Sequence, residues 1–284
     1  MNKHSIAIVT DSSAYIPQSA LEGLNVHVIP LWLIWEGERF RDGVDIDPPT
    51  FYHRLRGSKA LPTSSQPSPG EFAAFFQQVG AEADTIVNVL VSAKISGTIV
   101  SAQAAREQLP EMRIRIVDAL SSSMGLGLVV LAAARAAAAG QSVDEVVAAA
   151  EEIRECVHFL FVVDTLEYLH RGGRIKGAKR LLGTALNIKP ILQFRAGQIE
   201  SLTQARTKGK AIARMMEIAE ERLAGKPMAE AAVVDIDAPT EGDAVGKLVV
   251  ERFGTPLIHR STVSPVVGTH VGPGAIGVAF YAEQ

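Results

Sequence analysis

Hydroxyl side chains recur at the turns of this chain, and their placement suggests an anion site. Asp11-Ser12-Ser13 follows the apolar run Ile6–Thr10, and Pro62-Thr63-Ser64-Ser65-Gln66-Pro67 precedes a helical pattern starting at Pro69. Ser92 and then Ser96-Gly97-Thr98 follow Thr85–Val91, while Asp118 and Ser121-Ser122-Ser123 follow Arg113–Val117. Taken singly, each cluster is most simply a helix N-cap, where Ser, Thr and Asp accept from free N–H groups. Four clusters converging on the carboxyl ends of parallel strands are a different matter, because that crevice is where open α/β sheets bind ligands. A hydroxyl-rich, glycine-containing helix start offers N–H donors and the positive end of a dipole to an anion.

The second half contributes cations and one histidine. Tyr168-Leu169-His170-Arg171-Gly172-Gly173-Arg174-Ile175-Lys176 sets cations around a Gly-Gly break, with Lys179 and Arg180 following. Such a run is either a solvated basic helix start or a phosphate or acidic-partner site using Arg forks. His270 lies in the glycine-rich stretch Gly268-Thr269-His270-Val271-Gly272-Pro273-Gly274, read as a loop where backbone can approach a ligand closely. No H-x-x-H or paired carboxylate accompanies it, so no metal site is expected. Thr10–Pro17 lacks glycine, which excludes a dinucleotide fingerprint; there is no G-x-x-x-x-G-K-[ST] loop, and Ser96 is not in a G-x-S-x-G elbow.

The elements that must position these residues alternate in the first half. Strands are expected at Ile6–Thr10, at Val26–Trp35 with a turn-back at Glu36-Gly37-Glu38, at Thr85–Val91 and at Arg113–Val117. The first three are apolar runs suited to burial on both faces; the fourth alternates and belongs nearer an edge. Helical patterns at Pro69–Val79, Thr98–Leu109, Ser123–Ala139 and Ser142–Glu155 fill the gaps, giving βαβ units. After His158 the pattern changes to a strand at Phe159–Val163, a helical turn at Thr165–His170 and a hairpin of Ile188–Phe194 with Gln198–Ala205. A helix at Lys208–Leu223 and strands at Ala231–Ile236, Leu257–Arg260 and Val278–Tyr281 complete it. The expected fold is therefore α/β in two domains, 1–160 and 161–284. The first is a three-layer α/β/α unit with a mainly parallel sheet, the second a two-layer α+β unit with a mixed sheet.

Composition narrows the function classes. The 284 residues carry 28 Lys and Arg against 31 Asp and Glu, a net charge of −3, which argues against nucleic-acid binding by bulk charge. One cysteine, Cys156, excludes an intrachain disulfide and any multi-cysteine metal site. The N-terminus shows no secretory pattern, and the longest apolar run, Met124–Ala134, is shorter than the roughly 20 residues that span a bilayer, so a cytoplasmic protein is expected. An aromatic content of 6% favours an aliphatic-lined cavity over a base-stacking site.

Several motifs, in order along the chain, resemble the DegV family. They are Ile8-Val9-Thr10-Asp11-Ser12, Thr63-Ser64-Ser65-Gln66-Pro67, Ser96-Gly97-Thr98, Ser123-Met124-Gly125, Tyr168 through Ile175, Asn187 through Leu192, and Thr269 through Gly274. The resemblance implies a two-domain protein holding one long-chain fatty acid in a buried tunnel between the domains. It would act as the substrate-loading subunit of a two-part fatty acid kinase, with no catalytic residue and no cofactor of its own. The carboxylate would be presented to a separate ATP-binding kinase subunit for acyl-phosphate formation, with transient membrane-surface contact for lipid exchange. Carried over residue by residue, Thr63 and Ser96 hold the carboxylate, with Ser64, Gly97, Thr98 and His270 around it. Arg174 and Arg206 face the kinase subunit or the transferred phosphoryl group. The competing reading is a small-carbonyl phosphotransfer protein, similar to dihydroxyacetone kinase, with His270 as nucleophile.

Overall fold

Thirteen strands form three sheets among the described residues. The first-half strands are β1 (Ile6–Asp11), β2 (Val26–Ile29), β3 (Trp32–Trp35), β4 (Glu38–Arg41), β5 (Thr63–Ser65), β6 (Thr85–Leu90) and β7 (Arg113–Asp118). The second half supplies β8 (His158–Val162), β9 (Lys189–Arg195), β10 (Gln198–Ala205), β11 (Met228–Asp235), β12 (Ile258–Thr262) and β13 (Ile276–Ala282). This computed structural model describes residues 5–175, 188–255 and 257–283. Lys176, Lys179, Arg180 and Asn187, which belong to motifs read from the sequence, lie outside the described residues.

The four-stranded sheet runs β2-β1-β6-β7 and is parallel throughout. Its alternating strand β7 is at the edge, as its pattern predicts. Phe72, Phe76, Ile99 and Ala102, from the helices Pro69–Gly80 and Thr98–Glu107, bury one face together with Val9, Ile86 and Leu90. Leu126, Val130, Val146 and Ala150, from the helices Ser123–Ala138 and Val143–Cys156, bury the other with Ile8, Val87 and Val89. Side-chain alternation along β1 and β6 feeds both cores, which is why these strands read as unbroken apolar runs.

The mixed six-stranded sheet has the order β10-β9-β8-β13-β11-β12, antiparallel except for the β11–β12 pair. Leu160, Val162, Val233 and Val278 point to the helix Lys208–Leu223 and the helix Pro239–Phe253. Their strand neighbours Phe159, Phe161, Ala232 and Val234 point the other way, into a core shared with Met124 and Leu128 of the helix Ser123–Ala138. The expected hairpin is present, turning at Ala196 and Gly197, both at positive φ.

Two features depart from the sequence expectations. Val26–Trp35 is not one strand: Pro30 separates β2, in the parallel sheet, from β3, which pairs antiparallel with β4 and β5 in a small sheet of its own. Proline has no N–H to give a ladder, and Leu31 instead donates its N–H to Ser12 Oγ at 3.0 Å. Four α-helices among the described residues lie outside the sequence expectations: Gln18–Leu21, and Pro48–Gly57, Pro239–Phe253 and Pro265–Val271, each of which begins with proline in its first turn.

Candidate functional site

The Thr63–Ser65 segment, expected as a loop, is the edge strand β5, of which Ser64 and Ser65 line the cavity. Ser64 points inward and bonds His270 Nε2 through its Oγ at 2.6 Å, while Thr63 is exposed and does not line the cavity. His270 itself is in the last turn of the helix Pro265–Val271 rather than in a loop. That helix is held by Ser264, which accepts from Val267 N–H, by Asp42, which accepts from Val266 N–H at 3.5 Å, and by Tyr52, whose hydroxyl donates to the Val263 carbonyl at 3.0 Å.

The Gly172-Gly173 break brings the basic motif against this histidine. A Cβ on Gly172 would collide with the His270 ring, and Gly173 has a φ of +73°, so the first glycine serves close approach and the second the turn. The turn places Arg174 in the cavity wall, where Nε donates to the Ile95 carbonyl at 3.1 Å and Nη1 to the Gly172 carbonyl at 2.6 Å. Arg174, expected to face a partner or a phosphoryl group, is partly exposed and lines the cavity. Among the described residues it forms no ion pair. Burial pushes its pKa down, as expected for a cation withdrawn from water without a carboxylate.

Ser96 lies beside them at the end of β6, its Oγ 2.8 Å from Thr98 Oγ1. Ser96 lines the cavity; Thr98 is fully buried beside it and Gly97 stands behind, its Cα face closed by the Gln66 amide, so neither lines the wall. Arg206 is exposed in the bend between β10 and the helix Lys208–Leu223 and is not part of the cavity. Gln66 does line it, though it was quoted only as part of a motif.

Behind this polar group extends a largely apolar cavity. Its wall is Leu31, Val91, Ile95, Ile199, Val234, Ile236, Val263, Val266, Val267, Val271 and Ile276, with Phe159, Phe161 and Phe194. The rings of Phe159 and Phe194 stack 5.8 Å apart at 7°, so the wall is partly aromatic and not purely aliphatic as the composition suggested. Ser13, Ser122 and Ser123 also line it. Burial, and then the nearby Arg174 charge, push the His270 imidazole down to about 4, so it is neutral at pH 7. Burial raises Asp42, beneath the same helix, to about 7. Among the described residues no three His, Cys, Asp or Glu side chains gather as metal ligands.

An α/β chain with a parallel four-stranded sheet, a mixed six-stranded sheet and one apolar cavity with a cationic, hydroxyl-lined end defines a class of ligand-binding protein. A family model described as "Uncharacterised protein, DegV family" matches residues 5–283, and the chain belongs to the DegV family. A DegV domain-containing protein of Streptomyces coelicolor is 40% identical over 280 residues, covering 98% of each chain. Among solved structures, a fatty-acid-binding DegV family protein from Thermus thermophilus superposes with a TM-score of 0.90 at 33% identity, covering 98% of this chain and all of the other. DegV of Bacillus subtilis, described as a fatty acid binding protein, gives 0.89 at 33% identity, covering 99% of this chain and 100% of that one. Among the described residues no helix is long and apolar enough to cross a membrane.

Proposed function

We propose that this protein binds one long-chain fatty acid, with its carboxylate at Ser64, Ser96, His270 and Arg174 and its chain along the Val, Ile and Phe wall. The observation that carries this reading is Arg174. A half-buried guanidinium with no ion pair among the described residues, at the end of an otherwise apolar cavity, calls for an anion joined to a long apolar body. The fatty acids named for the Thermus and Bacillus relatives support the same ligand class. Each buried CH₂ contributes ~0.8 kcal/mol, so a tail of about fourteen methylenes offers roughly 11 kcal/mol gross, against an estimated 4–15 kcal/mol for association. The tail dominates affinity, and the polar end sets which way the ligand points.

The finer part of the proposal is that the held carboxylate is the nucleophile for a separate ATP-binding kinase subunit. A carboxylate oxygen attacks the γ-phosphorus of ATP, the bond to the β,γ-bridging oxygen breaks, and acyl phosphate and ADP leave. Arg174 and the neutral His270 keep the head group ionised and oriented, and this chain forms no covalent intermediate. Arg206, exposed on the surface, is suited to meeting such a partner.

Two additions test this. Palmitic acid should bind at least tenfold more tightly than hexadecanol, because charge-assisted hydrogen bonds contribute about 1.5–3 kcal/mol. Equal affinities would remove the head-group assignment. Palmitate-loaded protein with an ATP-binding fatty acid kinase subunit and ATP should then give acyl hydroxamate on trapping with hydroxylamine. Binding without hydroxamate would retain the ligand and discard the presentation step.

A further inference from the structure

The cavity is polar in a second place that the carboxylate does not use. Ser96 stands at the start of the helix Thr98–Glu107, on one face of the parallel sheet, whereas Ser122 and Ser123 begin the helix Ser123–Ala138, on the opposite face. Ser13, in the turn after β1, joins this second group. Ser13 and Ser123 are each only 2% exposed and both line the cavity; the Ser13 hydroxyl lies against the buried Asp11 carboxyl, whereas the Oγ of Ser123 finds no hydrogen-bond partner among the described residues. Ser122, the N-cap, makes no side-chain bond to its helix, unlike Ser68, Ser142, Thr207 and Ser264 at theirs. The first N–H groups of a helix have no partner within it. A 16-residue helix therefore starts at an apolar cavity with unused donors and with hydroxyls that can both donate and accept.

We propose that Ser13 and Ser123 form a second polar subsite for an oxygen function carried along the ligand's chain, so that chain-oxygenated fatty acids are held better than plain ones. The inference rests on the fatty-acid reading above and names its ligand class more closely. A hydrocarbon chain passing Ser123 leaves its hydroxyl without a partner in an apolar wall, which is costly. A hydroxyl or keto oxygen at that level accepts from Ser13, Ser123 or the helix N–H groups, and a ligand hydroxyl can also donate to a serine oxygen. The neighbouring Phe159, whose Cβ lies 3.2 Å from where a Cβ on Gly125 would be, keeps the surroundings apolar. Such a bond therefore discriminates by the presence of the oxygen and by its position along the chain.

The test is a titration of delipidated protein with stearic acid and with monohydroxystearic acids bearing the hydroxyl at successive carbons from about the sixth to the fourteenth. At least one positional isomer should bind about three- to tenfold more tightly than stearic acid, the range that one net hydrogen bond supplies. In Ser123→Gly, which removes the hydroxyl at a position whose φ is +50°, and in Ser13→Ala, that ratio should fall toward one. Melting curves of the two variants establish that each is folded. If every hydroxy acid binds no better than stearic acid, the serines serve bound water only and the subsite is overturned. It is equally overturned if the preference survives in both variants. Failure of stearic acid and all its derivatives to bind would instead bring down the fatty-acid reading, and this inference with it.

Discussion

In the proposed site, Arg174 and His270 are the two groups whose replacement is most informative. Arg174 is a half-buried cation that, among the described residues, donates to the carbonyls of Ile95 and Gly172 and forms no ion pair, so Arg174→Gln should leave the fold intact and weaken palmitate binding. About tenfold is expected, measured by calorimetry, since the site opens to water at this end and the charge is partly screened. Unchanged affinity would return Arg174 to the partner-facing role read from the sequence. His270, pushed down to about 4 by burial and by Arg174, binds a proton more weakly in the folded chain than in the unfolded one, where the ordinary value is 6.5. Between those values the unfolded state holds more protons, so this group's contribution to stability is present above pH 6.5 and is lost as pH falls toward 4. Asp42, raised to about 7, acts in the reverse direction over much of that window, and His158, also lowered to about 4, acts in the same direction as His270. The clean measurement is therefore a difference: melting of ligand-free His270→Gln should lose less stability than the parent between pH 6.5 and 4. A slope no shallower than the parent's would mean that His270 is already protonated in the folded protein.

At the scale of elements, the helix Ser123–Ala138 is the joint between the two large sheets. Its Arg135 donates twice to Glu230 of β11, at 2.8 and 2.7 Å, and Tyr281 donates to the same carboxylate while His259 Nε2 lies 2.7 Å from it. Burial would raise Glu230, but the bonds from Arg135, His259 and Tyr281 outweigh it and hold the carboxyl at about 2. Arg135→Ala should cost roughly 2–3 kcal/mol in a urea melt at pH 7, less than for a fully buried pair because Arg135 is partly exposed; a loss under about 0.5 kcal/mol would mean water replaces it. Elements with an apolar signature were legible in the sequence: β1, β6, β7, the β9–β10 hairpin and the helix Lys208–Leu223. Proline hid three helices. Pro48, Pro239 and Pro265 read as breaks, yet each occupies a first helical turn, where the missing N–H is an orphan anyway. Ser64, Ser96 and His270 stood out as hydroxyls at strand ends and a histidine among glycines. Thr63 could not be separated from Ser64 in the sequence, because what distinguishes them is the contact of Ser64 with His270, 206 residues further along the chain. Phe159, Phe161 and Phe194 carry no local sign that their rings meet across β8 and β9.

For the whole molecule, the cavity lies where the two large sheets share the core around the helix Ser123–Ala138. The six-stranded sheet gives one face to the helices Lys208–Leu223 and Pro239–Phe253 and the other to the core that contains the cavity. A ligand that fits the folded chain alone stabilises it by mass action. Delipidated protein should therefore melt at a lower temperature than protein saturated with palmitate, and the gap should widen with ligand concentration. The most direct test of the account is native mass spectrometry of the protein purified without detergent, followed by lipid extraction. One equivalent of a long-chain fatty acid, released intact on denaturation and leaving the bare polypeptide mass, is the predicted result. A covalent adduct on His270, or a delipidated protein that takes up no fatty acid on incubation, would contradict it.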